Sequence, residues 1–276
     1  MNRKVDSDRL KPGLAAGGDS DGWQNAARNL HGFGRQRLWR RCSDAVYLQL
    51  LQRLLVPGPC GRILKTDLWD EIYGGGLLPY LKTRARDVFS IDVAQRTVQI
   101  ARQSQSELKA VTADVRTLPF VSNSFDLIVS NSTLDHFEHK QDLLRALTEL
   151  ARVLEPGGQL LITLDNPSNP IIRLRSLLPM RWLMRLGVVP YYVGTTLSAR
   201  QLSRALEKNG FRVEQLEAAV HSPRVVMVGL AALLQRWAPL RWQDWLADFQ
   251  LHFEVMGRWS TRFLTGHYVV VLAVKK

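Results

Sequence analysis

Over the middle of the chain, short apolar runs alternate with segments of helical periodicity. Leu38, Cys42, Val46, Leu50 and Leu54 recur every fourth residue between Arg35 and Leu55, which predicts a helix, and Pro57-Gly58-Pro59 ends it. Apolar runs then predict strands at 62–68, 87–92, 109–113, 125–130 and 159–164. Helical patterns fall between them at about 75–84, 94–107 and 139–154. Alternation of this kind predicts a mostly parallel sheet with helices on both faces, the doubly wound α/β class. The spacing is too irregular for a solenoid, and there is no internal repeat.

After the fifth run the regularity breaks. Residues 166–196 form a long connection. Ser198 then caps a helix to about Asn209, Gly210 ends it, and Phe211 to Ala219 reads as a strand. Residues 222–262 read as helical with a break at Pro239, and His267 to Val274 is a β-branched final strand. Residues 1–30 are rich in Gly, Asp, Ser and Asn without periodicity and read as a flexible tail, leaving 31–276 as one domain.

Composition narrows the class. With 276 residues and 46% hydrophobic content the chain can bury a sizeable core. The longest apolar stretch, Val225 to Leu234, is too short to span a bilayer, and no apolar signal segment opens the chain. Cys42 and Cys60 match neither a disulfide framework nor a zinc site, and a cytoplasmic setting is expected. The net charge of +12 suits nucleic acid, anionic lipid, an acidic substrate or simply a solvated arginine-rich surface. No zinc-finger, RNP-type or basic-helix signature accompanies it, so no nucleic-acid partner is expected.

In doubly wound sheets, ligands bind beyond the carboxyl ends of the strands. The first strand ends at Thr66-Asp67, the second at Asp92, the third at Asp114-Val115 and the fourth at Ser130-Asn131-Ser132. Asp92 stands where nucleotide folds place a ribose-binding acid, although the same residue would also suit a helix N-cap. Leu118-Pro119-Phe120, Ser124 to Ser130, and Leu150-Ala151-Arg152-Val153-Leu154-Glu155-Pro156-Gly157-Gly158 follow in order.

This ordered set, from about Arg62 to Leu164, resembles the class I S-adenosylmethionine-dependent methyltransferases. The resemblance implies a seven-stranded, mostly parallel sheet with an antiparallel last strand and helical insertions over the carboxyl edge. It implies S-adenosyl-L-methionine as cofactor. Asp92 would hold the ribose and Val93 flank the adenine. Asp114 would take the adenine amino group under the cover of Val115, and Ser130, Asn131 and Ser132 would line the methionine end. The first motif departs from the family. Lys65 stands where an acid is usual, and Asp67, Trp69 and Glu71 stand near the usual glycines, with Gly74-Gly75-Gly76 arriving late. Thr66 and the carboxylates of Asp67, Asp70 or Glu71 are expected to meet the amino acid end of the cofactor.

His136, just past the fourth strand, is the candidate general base, the alternative being a residue that braces the next helix. With His139 it lacks further converging ligands, so no metal site is expected. The insertions at 166–196 and 220–265 hold Trp182, Trp237, Trp242, Trp245 and Trp259 and are expected to form a lid over a small or medium-sized hydrophobic acceptor. Packing between added helices is an equal reading for any one of these tryptophans. The stretch 171–186 mixes Leu, Ile and Trp with four arginines and suits peripheral membrane contact as well as a surface helix. A non-catalytic relative that keeps the fold is the alternative to a methyltransferase. An NAD-dependent oxidoreductase is disfavoured because no G-x-G-x-x-G follows the first strand.

Overall fold

The computed structural model describes residues 37–276 except 57, 59, 74, 106, 179–181 and 183–191. The expected tail at 1–30 and much of the 171–186 stretch lie outside the described residues. Helix α1 (Arg37–Leu54) buries the every-fourth stripe of Leu38, Cys42, Val46, Leu50 and Leu54. The strands are β1 (Cys60–Lys65), β2 (Ala85–Asp92), β3 (Lys109–Thr112), β4 (Phe125–Asn131), β5 (Leu154–Asp165), β6 (Phe211–Ala219) and β7 (Tyr268–Lys275). They form one sheet in the order β3-β2-β1-β4-β5-β7-β6. The first five pair in parallel, and β7 runs antiparallel between β5 and β6. The expected seven-stranded, doubly wound sheet is borne out, with its order reversing between β1 and β4.

Burial on both faces explains the near-continuous apolar runs of the central strands. In β1, Ile63 enters one apolar cluster and its neighbour Leu64 the other. The first cluster includes residues of α1, α2 (Leu78–Arg84), α3 (Gln95–Ser104), α7 (Arg224–Trp237) and α8 (Leu240–His252). The second includes residues of α4 (Lys140–Val153) and α6 (Ala199–Lys208). Ser198 and Gln201 form a reciprocal capping box that starts α6. Two shorter helices, α5 (Pro170–Ser176) and α9 (Arg262–Thr265), belong to the excursions that leave the carboxyl ends of β5 and β6.

Two strand boundaries differ from the sequence reading by three residues or more. β1 stops at Lys65 instead of 68: the Thr66 amide still donates to Val129 O at 3.1 Å, but beyond it the chain wraps around the Lys65 ammonium. β5 starts five residues early, because Leu154 pairs with Phe125 across an irregularity in the ladder. Among the described residues no helix is long and apolar enough to cross a membrane.

Candidate active site

One cavity opens over the tips of β1 to β4 at the point where strand order reverses. Of the residues proposed from sequence, Thr66, Asp67, Trp69, Asp92, Val93, Asp114, Val115, Asn131, Ser132 and His136 all border it. Two do not. The carboxylate of Glu71 is buried and turned away from the cavity, with Oε2 3.0 Å from Lys65 Nζ and Oε1 accepting from the Leu77 amide at 3.1 Å. Ser130 is buried beneath the floor and its hydroxyl accepts from Thr66 Oγ1 at 3.0 Å.

The turn after β1 is organised by Lys65, which is only 1% exposed. Its ammonium donates to the carbonyl of Asp67 at 2.8 Å, to Asp67 Oδ2 at 2.9 Å and to Glu71. Burial alone would lower the pKa of Lys65, but Asp67 and Glu71 outweigh it and hold the group above its ordinary value. Burial pushes Glu71 up to about 8 against the pull of the Lys65 ammonium 3.0 Å away. One of the late glycines now has a role. Gly76 sits at φ +71°, where a Cβ would press into the Glu71 carboxylate.

At the tip of β2, Asp92 Oδ1 accepts from the Ala94 amide at 2.8 Å and Oδ2 from the Leu68 amide at 3.2 Å. Burial, with Asp67 adding, pushes its carboxyl up to about 7 against the backbone bond from Ala94. Asp92 therefore spans both sequence readings, bracing the start of α3 while bordering the cavity. After β3, Asp114 pairs with Arg116, whose Nη2 lies 2.6 Å from Oδ2. At the end of β4, Ser132 takes a positive φ of 48°, uncommon outside glycine. Its amide donates to Thr163 O at 3.1 Å, and its hydroxyl donates to Asp135 Oδ2 at 2.9 Å.

His136 Nδ1 lies 2.8 Å from the carbonyl of Tyr192 and can only donate to it. In the neutral ring Nε2 then carries the lone pair. Nε2 lies 3.7 Å from Asp135 Oδ1. Asp135 is 1% exposed, and burial raises its pKa while His136 lowers it.

The side walls were not legible as such. Trp39, Arg40, Ser43 and Tyr47 of α1 line the cavity, together with Arg224 and Tyr268. Residues 40, 43 and 47 share one face of α1 at helical spacing, which was the available signal. Arg224 and Tyr268 carried none, since the fold alone unites them; Arg224 donates to the Tyr268 hydroxyl at 2.8 Å. The tryptophan lid is corrected outright. Trp182, Trp237, Trp242, Trp245 and Trp259 are all exposed and none borders the cavity. Among the described residues no cluster of three metal-ligating side chains occurs.

The sheet order is that of the Rossmann-like, class I methyltransferase fold. Within that class, residues 73–162 match the family described as "Methyltransferase domain". A biotin biosynthesis bifunctional protein of Saccharophagus degradans is 31% identical over 151 residues, covering 51% of this chain and 25% of that protein. The probable tRNA methyltransferase 9B of Homo sapiens is 41% identical over 90 residues, covering 32% and 19% respectively. A Mycolicibacterium smegmatis protein named as a probable S-adenosylmethionine-dependent methyltransferase is 26% identical, covering 75% of this chain and 70% of its own. The chain thus spans only a quarter or less of the first two of these relatives. Among solved structures, a methyltransferase of Thermotoga maritima, titled a possible histamine N-methyltransferase, superposes with a TM-score of 0.58. It is 17% identical, and the match covers 91% of this chain and 97% of that one.

Proposed function

We propose that the chain transfers a methyl group from S-adenosylmethionine to a small or medium-sized hydrophobic acceptor, at oxygen, carbon or nitrogen. The observation that carries this reading is the convergence of Asp92, Asp114, Asn131 and Ser132 from three strand tips on one cavity. The chemistry of the lining fits the cofactor. Two carboxylates serve the hydroxyls and amino group of an adenosine, Val93 and Val115 offer apolar cover, and Asp67 and Asp70, ion-paired with Lys65 and Arg40, bring carboxylates to the cavity where an ammonium could be met. The cofactor supplies an electrophilic methyl group; the protein's share is largely positioning.

Where the acceptor carries a proton that must leave, His136 Nε2 takes it. Asp135 Oδ1 lies 3.7 Å from that nitrogen. Trp39, Tyr47, Phe137 and Tyr268 supply an aromatic wall for the acceptor, and Arg224 adds a guanidinium suited to a carbonyl or anionic oxygen. The relatives are named for dissimilar acceptors, so the cavity's own chemistry supports this choice over a nucleic acid.

A second reading, a non-catalytic binding or scaffold protein, draws on the Lys65-centred turn, which commits one Asp67 oxygen to an internal ion pair. Calorimetry with S-adenosylmethionine and S-adenosylhomocysteine separates the two. Saturable heat is expected; its absence at millimolar cofactor would leave only the scaffold. Once an acceptor is in hand, His136→Ala should lower turnover about 10²–10⁴-fold with cofactor affinity kept. Unchanged activity across pH would make His136 a bracing residue.

A further inference from the structure

Helix α7 is built inside out for a surface helix. Eight of its positions face outward: Val225, Val226, Gly229, Leu230, Ala232, Leu233, Arg236 and Trp237, of which Arg236 alone is polar. Trp237 is 72% exposed and Val225 76%. The connection into α8 continues the theme with Leu240, 71% exposed, and Trp242. Helix α5 repeats it on a smaller scale, with Ile171, Leu174 and the adjoining Leu177 all exposed. Outward apolar surface of this extent is uncommon on soluble monomers.

The two helices belong to one edge of the molecule. Arg175 of α5 donates to Asp165 Oδ2 at 2.6 Å, and Asp165 lies 3.4 Å from His267 Nε2. Arg224, the first residue of α7, meets the same His267 nitrogen at 2.7 Å. This chain of contacts ties both apolar faces to the carboxyl edge of the sheet, beside the cavity that Arg224 lines.

Charge selects the occupant. From residue 166 to 206 the sequence contains no Asp or Glu but six arginines: 173, 175, 181, 185, 200 and 204. From 218 to 243 it again contains no acid, with Arg224, Arg236 and Arg241. Tryptophan, leucine and valine outward, arginine interspersed and acids excluded form the pattern of an element lying in an anionic lipid interface. A nucleic acid would have no use for the apolar face.

We propose that the outer faces of α5 and α7, with Trp237, Leu240 and Trp242, dock on an anionic membrane surface and bring the cavity mouth to the lipid. The inference concerns binding alone and stands apart from the methyl-transfer reading. The test is co-sedimentation of the full chain with vesicles of phosphatidylcholine, alone or mixed with phosphatidylglycerol, beside light scattering in solution. Binding is expected only with phosphatidylglycerol and should weaken as salt rises. Leu233→Glu with Trp237→Glu should reduce it about 100-fold or more. Arg236→Ala with Arg241→Ala should reduce it about 30-fold, and this pair keeps the apolar face intact. No sedimentation with either vesicle, or equal binding to both without salt dependence, overturns the proposal. So does a wild-type dimer that Leu233→Glu with Trp237→Glu converts to monomer while vesicle binding persists, since the face would then belong to a second copy.

Discussion

The turn after β1 and the turns after β2 and β3 do the same architectural job by different means. After β2 and β3 a single carboxylate receives local partners, backbone amides at Asp92 and Arg116 at Asp114, and remains at the cavity. Between Thr66 and Glu71, after β1, there is no glycine. Instead a buried ammonium gathers one carbonyl and two carboxylates beneath the chain. Small residues would let the backbone approach a ligand closely; an internal ion cluster fixes where the backbone lies but fills the space beneath it. The comparison teaches that a strand tip can be held by side-chain charge where the usual conformational freedom is missing.

Breaking the cluster should have the largest effect. Lys65→Met leaves Asp67 and Glu71 without their cation and should cost about 3–5 kcal/mol in urea unfolding. Adding Asp67→Asn and Glu71→Gln should recover part of that loss, because the buried charges go with it. A loss below about 1 kcal/mol would show that the turn is held by something other than the ammonium.

At the β2 tip the effect should appear in binding. Asp92→Ala should weaken S-adenosylhomocysteine binding by about 1–3 kcal/mol in calorimetry. An unchanged dissociation constant removes Asp92 from the cofactor site and leaves it the brace of α3.

The smallest effect is the dependence on pH. The carboxyl of Asp92 is raised from 3.8 to about 7 in the folded protein. Its ionisation therefore costs stability, a penalty that grows as pH rises from about 4 to 7 and is absent below that window. Ribose hydroxyls donate best to the ionised form, so cofactor affinity should run the other way. It should fall toward about tenfold per pH unit below 7. Asp92→Asn should flatten that slope, and an equal slope in the variant would assign the titration to another group.

The contrast also marks what the chain made readable. Strand β6 was placed at its observed bounds and β2 within two residues, since β-branched and apolar runs report burial directly. The ring of strand-tip residues was readable because each closes a run. The role of Lys65 was not, because nothing local says that a lysine will be buried with its acids. The tryptophans misled for a related reason. Their size promises burial, yet α1 had already walled the cavity with Trp39 and Tyr47, and those of the excursions face outward.

The excursion after β5 is moored at both ends. At its start Asn166 and Asn169 side chains donate to Gly266 O at 2.9 and 3.1 Å. At its return the Gly194 and Thr195 amides donate to Asp135 O at 2.8 Å and Phe137 O at 2.7 Å. Tyr192, whose carbonyl accepts from His136 Nδ1, stands two residues before the second mooring, so the rim that carries His136 is held by the return of this excursion as well as by β4. A shift of that return would therefore reach His136 directly, although none of the described residues of the span borders the cavity.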